Sequence, residues 1–358
     1  MDRETLKKIY GDFNPKRKDI TNDQYALRLS KVASDFNKDN DIITDEFLDE
    51  PQKVFDYLEG KPKSTMANIL YSIIGYCEAK NKDKLAKIYR LKKEIADEGI
   101  KFAYSKNQFL GKQEENFISY DKVVAFVKKL DVLCDTPEKV GANYHEEWEK
   151  KEMNNVRLLF RLYLLYPRRN EFGTLRFISW RKYKQVAKLG LEENFIVMNA
   201  RKAPMLSLSD YKTSKTYGTA THVITDKVLK KLIYQYYKDK GEGAYVFTLP
   251  KTNEPWKKYY VSQMLTKWSS LLTAKEREPP VYDKRTGERI GYSISTTLLY
   301  KIIVNEAEKR LDRSLSKEDF DGAVIFNDLL KDYAKIRGHK NSTQKEIYSK
   351  KVLEKEPK

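Results

Sequence analysis

The segment LYPRRNEFGTLRFISW, residues 165–180, places charged side chains where they could bind a phosphate group. Arg168, Arg169 and Glu171 follow Pro167, directly after a strongly apolar helical segment, and lead into a short helix. A guanidinium offers two parallel N–H donors to phosphate oxygens, and rigid neighbours would keep its orientation. Glu171, one helical turn after Arg168, could orient that guanidinium or its neighbour. A surface salt bridge at a helix junction is the alternative interpretation of this motif.

The C-terminal segment RGHKNSTQKEIYSK, residues 337–350, contains a second group of functional side chains. His339 follows Gly338, and Tyr348 lies nine positions further on, across a polar turn. A histidine that caps a helix and a tyrosine that packs on a core would show the same spacing. The pair therefore gains a functional meaning only from the residues that accompany it.

Together, the two segments resemble the tyrosine recombinases of the phage-integrase superfamily. In that family the first catalytic arginine lies in a motif Arg-x-x-Glu-x-x-x-Leu-Arg, which is matched by Arg168, Glu171, Leu175 and Arg176. The Gly-His pair and Tyr348, with the nine-residue step, match the final motif of the family. The segment Pro-Arg-Arg-Asn-Glu is more similar to the viral and eukaryotic-element members of this family than to the bacterial integrases.

The resemblance also implies a catalytic lysine on a β-hairpin. The matching segment is SDYKTSKTYGTATHVI, residues 209–224, in which Lys212 stands at the family's catalytic position and Lys215 is the second choice. Family members commonly show Lys-Thr-Gly-Lys here, where this chain has Lys-Thr-Ser-Lys. A solvated, lysine-rich turn is the alternative interpretation of the residues by themselves.

The segment ISTTLLYKIIVNEAEK, residues 294–309, departs from the family pattern. The family carries a second catalytic arginine here, and that position is occupied by Tyr300, with Thr297 at the usual histidine position. A tyrosine donates one neutral hydrogen bond, whereas an arginine would supply half of a phosphate clamp. Lys301 and Arg289 lie nearby in the sequence without the expected spacing. Either another basic residue takes over this role, or catalysis is weakened.

The resemblance implies metal-free exchange of phosphodiester bonds, with no cofactor. Tyr348 would attack the phosphorus and form a covalent phosphotyrosine. Arg168 and His339 would neutralise the phosphorane, and Lys212 would protonate the leaving 5′ oxygen. Glu171 and Tyr300 complete the expected catalytic set. The expected DNA-binding residues are Arg169, Lys215, Lys301 and Arg176.

The charge balance independently favours a polyanionic partner. Lys and Arg number 69 against 52 Asp and Glu, a net charge of +17 in a chain of 358 residues. A positive field of this size attracts nucleic acid. The alternative interpretation is that the surface charge serves only to keep the protein soluble. The two cysteines are too few for a disulfide framework, and the three scattered histidines do not have the spacing of a structural zinc site. No apolar stretch has the length of a membrane span.

The apolar patterning predicts a mainly α-helical protein with a small antiparallel β-sheet. Residues 1–21 are expected to be a flexible segment and 22–106 a helical domain, which by the resemblance corresponds to the family's core-binding domain and would contact DNA. Residues 107–117 are predicted to be the linker, since they are polar and lack an apolar period. Residues 118–358 would form the recombinase catalytic domain. Its strands are predicted in NFIVMNA, MLSLSDY and GTATHVIT.

Three functions are compatible with these features. The first is a site-specific recombinase or integrase of a mobile element or DNA virus, acting on double-stranded DNA as a dimer or tetramer. The second is a catalytically weakened or inactive DNA-binding protein with the recombinase fold, an interpretation that Tyr300 supports. The third is a type IB topoisomerase. All three would be intracellular and DNA-associated.

Overall fold

The protein is described by a computed structural model over residues 2–37, 44–105, 111–135, 147–190, 192–211, 214 and 218–337. The chain divides into two compact units, Met1–Gly111 and Lys112–Lys358. Both units are rich in helices, and the second also contains a small sheet, so the predicted class, mainly α with a small β-sheet, is confirmed. None of the helices in the described ranges combines the length and apolar character that crossing a bilayer requires.

The first unit is a helical bundle. Its elements are α1 (Arg3–Phe13), α2 (Asp19–Phe36), a 3-10 helix (Glu46–Asp49), α3 (Pro51–Leu58), α4 (Lys63–Ala79) and α5 (Asp83–Ser105). Helix α4 carries the apolar stripe that the other helices cover, with Leu70 and Ile73 fully buried. Two buried tyrosines connect elements that are distant in sequence: the Tyr10 hydroxyl donates to the Ser72 carbonyl (2.7 Å), and that of Tyr89 to the Leu48 carbonyl (2.8 Å).

Helix α1 corrects the prediction that residues 1–21 are flexible. The Asp2 carboxylate caps the helix by accepting a hydrogen bond from the Thr5 amide at 2.8 Å. Leu6 and Tyr10, one helical turn apart, are both fully buried in the core of the first unit. The prediction failed because the segment is polar on average, while two apolar side chains on one face are enough to anchor a capped helix.

The helices of the second unit surround one continuous core. They are α6 (Tyr120–Asp135), α7 (Glu147–Leu165), α8 (Trp180–Lys188), α9 (Lys227–Lys240), α10 (Lys258–Leu272), α11 (Thr296–Ser316) and α12 (Phe320–Arg337). Short 3-10 helices occur at Gly111–Asn116, Glu171–Thr174 and Ala274–Glu276. Helix α7 is central, because it contacts α6, α9 and α10 and buries most of its apolar side chains. Its C-terminal end leads directly into the turn that carries Arg168.

The main sheet has four strands in the order β1-β2-β3-β4: Arg176–Ser179, Asn194–Met198, Met205–Leu208 and Ala220–Val223. Strands β2, β3 and β4 were predicted and pair antiparallel. Strand β1 was not predicted, and it pairs parallel to β2, so the sheet is mixed rather than purely antiparallel. A parallel pair needs a crossover connection, which α8 provides. Two-residue strands β5 (Val281–Tyr282) and β6 (Arg289–Ile290) form a separate ribbon.

The end of the predicted linker, residues 107–117, belongs to the second unit. The Asn116 side-chain oxygen accepts hydrogen bonds from Arg277 Nη1 (3.3 Å) and from the Ser293 amide (2.8 Å). Gln113 accepts a short hydrogen bond from the Lys301 ammonium. The polar side chains of Gln113 and Asn116 therefore form hydrogen bonds within the second unit. Residues 106–110 lie outside the described part of the chain.

Candidate active site

Arg168 lies in a tight turn at the end of α7, with its amide donating to the Tyr166 carbonyl at 2.8 Å. Its side chain is 1% exposed. One terminal nitrogen, Nη2, lies 3.2 Å from Nε2 of His222, and the guanidinium carbon lies 5.3 Å from the ring centroid of Tyr211. Tyr211 immediately precedes Lys212 in the sequence. The guanidinium is therefore placed beside the start of the lysine-containing hairpin segment.

His222 also lies at this site, although it belongs to none of the sequence motifs. It lies on β4, opposite Leu206 of β3, and its ring packs against the ring of Tyr166 with centroids 5.3 Å apart. The Tyr166 hydroxyl donates to the Val223 carbonyl at 3.1 Å, which joins the end of α7 to β4. Burial raises the pKa of the Tyr166 phenol above its usual value. No local motif marks His222.

Asn194 joins the arginine turn to the sheet. This 1% exposed side chain donates to the carbonyl oxygens of Glu171 (3.3 Å) and Asp210 (3.1 Å). Its own oxygen accepts from the amides of Ser209 and Asp210, both at 3.0 Å. One buried amide thus ties the turn after Arg168 to the residues that precede Lys212. Asn194 was predicted only as part of a strand.

Glu171 begins the 3-10 helix after Arg168 and is 6% exposed. Within the described part of the chain, its buried Oε2 atom accepts no hydrogen bond. A buried carboxylate oxygen without a donor is unfavourable, because its hydration has been lost without replacement. The expected orienting role of Glu171 towards a guanidinium remains a prediction.

Gly173 allows helix α10 to approach the arginine turn. A Cβ atom at this position would lie 3.0 Å from Cγ2 of Val261 and 3.2 Å from the Lys257 carbonyl oxygen. The close contact places the N-terminal end of α10 against residues 171–174. This end carries Lys258, paired with Asp210 at 2.7 Å, and a half-exposed Tyr259 stacked on Tyr260 at 4.7 Å.

Arg169 and Arg176, two of the predicted DNA-binding residues, lie in the described part of this region. Arg169 is partly buried in the turn. Arg176, on β1, donates from Nη1 to Glu193 and from Nε to the Gly243 carbonyl, both at 3.1 Å, and lies over the Tyr245 ring. The guanidinium of Arg176 is thus engaged with its own sheet edge. Its assignment to DNA stays a prediction.

Tyr300 and Lys301 lie in the first turns of α11 and face the protein interior. Tyr300 is 0% exposed, and its hydroxyl donates to the Tyr333 carbonyl at 3.2 Å. Lys301 is 3% exposed, and its ammonium donates to Gln113. Both side chains therefore make contacts inside the second unit.

Four predicted site residues, Lys212, Lys215, His339 and Tyr348, lie outside the described residues. Of the others, Arg168 and Glu171 belong to one turn that Asn194 ties to β2 and β3. Helix α12 ends at Arg337, directly before the Gly-His pair in the sequence. Among the described residues, no group of three His, Cys, Asp or Glu side chains could hold a metal ion.

An exposed surface with basic and aromatic residues is present on α8. The rings of Trp180 and Tyr183 stack at 5.8 Å, and the Lys184 ammonium lies 5.4 Å from the Trp180 ring. Arg181 and Lys182 are exposed on the same helix. Such a combination can bind a nucleic acid backbone through charge.

Comparisons with known proteins give few matches. No family model and no curated protein matches this chain. Among solved structures, the chain is similar to the crystal structure of XerA recombinase, with 10% sequence identity and a TM-score of 0.35. The alignment covers 98% of this chain and 94% of that one. The candidate site accordingly rests on its own geometry.

Proposed function

We propose that this chain is a site-specific DNA recombinase or integrase that cuts and rejoins strands through a 3′-phosphotyrosine intermediate. The observation that supports the proposal most directly is the placement of Arg168. Its guanidinium is buried, lies beside a histidine, and packs over the residue that precedes Lys212. A guanidinium held in a fixed orientation is well suited to bind phosphate oxygens, because its N–H donors form a planar fork.

In the proposed reaction, the Tyr348 phenol releases its proton to solvent, favoured by the neighbouring cationic groups, and its oxygen attacks the phosphorus of a DNA phosphodiester. A phosphorus–tyrosine bond forms, and the bond from phosphorus to the 5′ oxygen breaks. Arg168 and His339 stabilise the additional negative charge on the nonbridging oxygens, and Lys212 gives a proton to the leaving 5′ oxygen. The energy of the broken bond is retained in the phosphotyrosine. A 5′ hydroxyl of another strand can therefore reverse the step and rejoin the DNA.

The proposed substrate is double-stranded DNA. The net charge of +17, and the exposed basic and aromatic residues of α8, support binding to the phosphate backbone. Arg169 and Lys215 are the proposed contacts near the reacting phosphate, and Arg176 and Lys301 would have to leave their present partners to join them. Exchange between two duplexes requires several nucleophiles, so we propose a dimer or tetramer on DNA.

A covalent-trapping assay tests the proposed function. The protein would be incubated with nicked duplexes from the ends of the element that encodes it and analysed on a denaturing gel. The native protein should form a detergent-resistant adduct, and Tyr348→Phe should form none. Arg168→Ala and Arg168→Lys should both lower the adduct rate by about 10²–10³, because lysine lacks the planar fork. An adduct that persists in Tyr348→Phe would contradict the assigned nucleophile.

A DNA-binding protein with weakened or lost catalysis is the second candidate. It is favoured by the positions of Tyr300 and Lys301, because both are buried in contacts within the second unit. This candidate predicts DNA retention on a native gel without adduct formation by any variant. A type IB topoisomerase would instead relax supercoiled plasmids that lack specific sites.

A further inference from the structure

We propose that His222 is a positioning residue for Arg168, acting as a neutral hydrogen-bond acceptor that orients the guanidinium without adding a negative charge beside it. The inference rests on the proposed function, since it assigns Arg168 to phosphate binding. It adds a residue from β4, which neither the sequence motifs nor the comparisons indicate.

The chemistry of the contact determines its direction. A guanidinium has five N–H donors and no acceptor. The 3.2 Å contact between Arg168 Nη2 and His222 Nε2 is therefore a hydrogen bond only if Nε2 is unprotonated. The imidazole must be neutral, with its proton on Nδ1. A protonated imidazole would place two cations against each other and could accept nothing.

The surroundings keep the imidazole in position. Its ring packs against Tyr166 with an interplanar angle of 33°, and the Tyr166 hydroxyl is bound to the neighbouring Val223 carbonyl. Strand β4 is paired with β3, which fixes the backbone of His222. On the other side, the guanidinium packs over Tyr211. Arg168 is thus oriented by two aromatic residues of the sheet region, an imidazole and a phenol ring.

Neutrality of this acceptor has a functional consequence. A carboxylate in the place of His222 would also accept this hydrogen bond, but it would add a negative charge beside the guanidinium. A neutral acceptor fixes one N–H of the guanidinium and does not itself offset the positive charge that an incoming phosphate would meet. This is the preorganisation that stabilises charge developing in a transition state.

Three substitutions at this position separate orientation from charge. His222→Gln keeps a neutral acceptor, His222→Leu removes the acceptor, and His222→Glu supplies a charged one. We expect the adduct rate at saturating protein to stay near native in His222→Gln and to fall about 10–10²-fold in the other two, as for a misplaced catalytic group. Thr221→Val, at an exposed position on the opposite face of β4, is the matched control.

A double-mutant cycle shows whether His222 acts through Arg168. If it does, His222→Leu should lower the adduct rate in the native background and have no further effect in Arg168→Ala. A merely structural role of His222 would lower the rate in both backgrounds. Equal losses in His222→Gln and His222→Leu would overturn the inference.

The imidazole tautomer provides a test that does not depend on catalysis. With ¹⁵N-labelled histidine, the signal that disappears in His222→Gln should be that of a neutral ring protonated on Nδ1. A ring protonated on Nε2 would overturn the inference, whatever the adduct assay shows. If the native protein forms no adduct but the Nδ1 tautomer is found, the proposed function fails while the contact between Arg168 and His222 stands.

Discussion

The hydroxyl of Tyr300 donates a hydrogen bond to the main-chain carbonyl of Tyr333, 3.2 Å away, between helices α11 and α12. Tyr300 stands where the resemblance to tyrosine recombinases places an expected second catalytic arginine, and its side chain is fully buried. In this structure it serves the packing of two helices. A substitution of Tyr300 by arginine would therefore introduce a charge into the core.

We expect Tyr300→Phe to lower the free energy of unfolding of the second unit by about 1 kcal/mol, the value of one hydrogen bond. Tyr300→Arg should cost more than about 3 kcal/mol, because a guanidinium at this fully buried position would lose its hydration. Urea unfolding followed by circular dichroism measures both. If Tyr300→Arg were as stable as the native protein and formed the adduct faster, the arginine would have reached the phosphate.

The contact of Gly173 with α10 gives a second prediction. Gly173→Ala should destabilise the second unit by about 1–3 kcal/mol, because the added methyl group meets Val261 and the Lys257 carbonyl. It should also slow adduct formation, since the displaced turn carries Arg168. Gly11→Ala in α1, where the nearest atom is 3.6 Å away, is the control and should be neutral or slightly stabilising. Equal stability of the two variants would show that α10 can shift without cost.

Arg277 is expected to anchor the end of the predicted linker. Its buried guanidinium donates to Asn116 (3.3 Å), to the Gly291 carbonyl (2.6 Å) and to the Glu115 carbonyl (3.4 Å). Arg277→Leu should cost about 2–4 kcal/mol of unfolding free energy, because these buried acceptors lose their donor. Arg285→Leu, in the exposed part of the same loop, should change stability by less than about 0.5 kcal/mol. Thermal unfolding of the two variants measures the difference. Equal losses of stability in Arg277→Leu and Arg285→Leu would contradict the anchoring role.

The two cysteines give a prediction on pH. Burial raises the pKa of the Cys77 and Cys134 thiols to about 12, against about 8.5 for an exposed thiol. Both should react slowly with a thiol reagent at pH 8 in the native protein and rapidly after unfolding in urea. Because the folded-state pKa is raised, the stabilisation is complete below about pH 8.5 and is lost as the pH rises towards 12. The Cys134→Ser variant shows which labelling signal belongs to which cysteine. Rapid labelling of Cys77 in the native protein would contradict the prediction.

The fold was predictable from the sequence where apolar spacing is local. The segments around β2, β3 and β4 and the helices α6 and α7 follow from such patterns. Strand β1 could not be predicted from such a pattern, because a four-residue strand in a parallel pair depends on the crossover that α8 makes. Helix α1 was missed because Leu6 and Tyr10 acquire their anchoring role only when the bundle covers them.

The sequence by itself determined the positive charge, the helical class and the order of the motif residues, because composition and spacing are properties of the chain alone. Only the tertiary structure decided which side chains meet. Arg168 and His222 are 54 positions apart and come together because β4 pairs with β3 and is bound to the end of α7. Likewise, the side-chain direction of Tyr300 was set by the packing of α11 against α12, which no local pattern records.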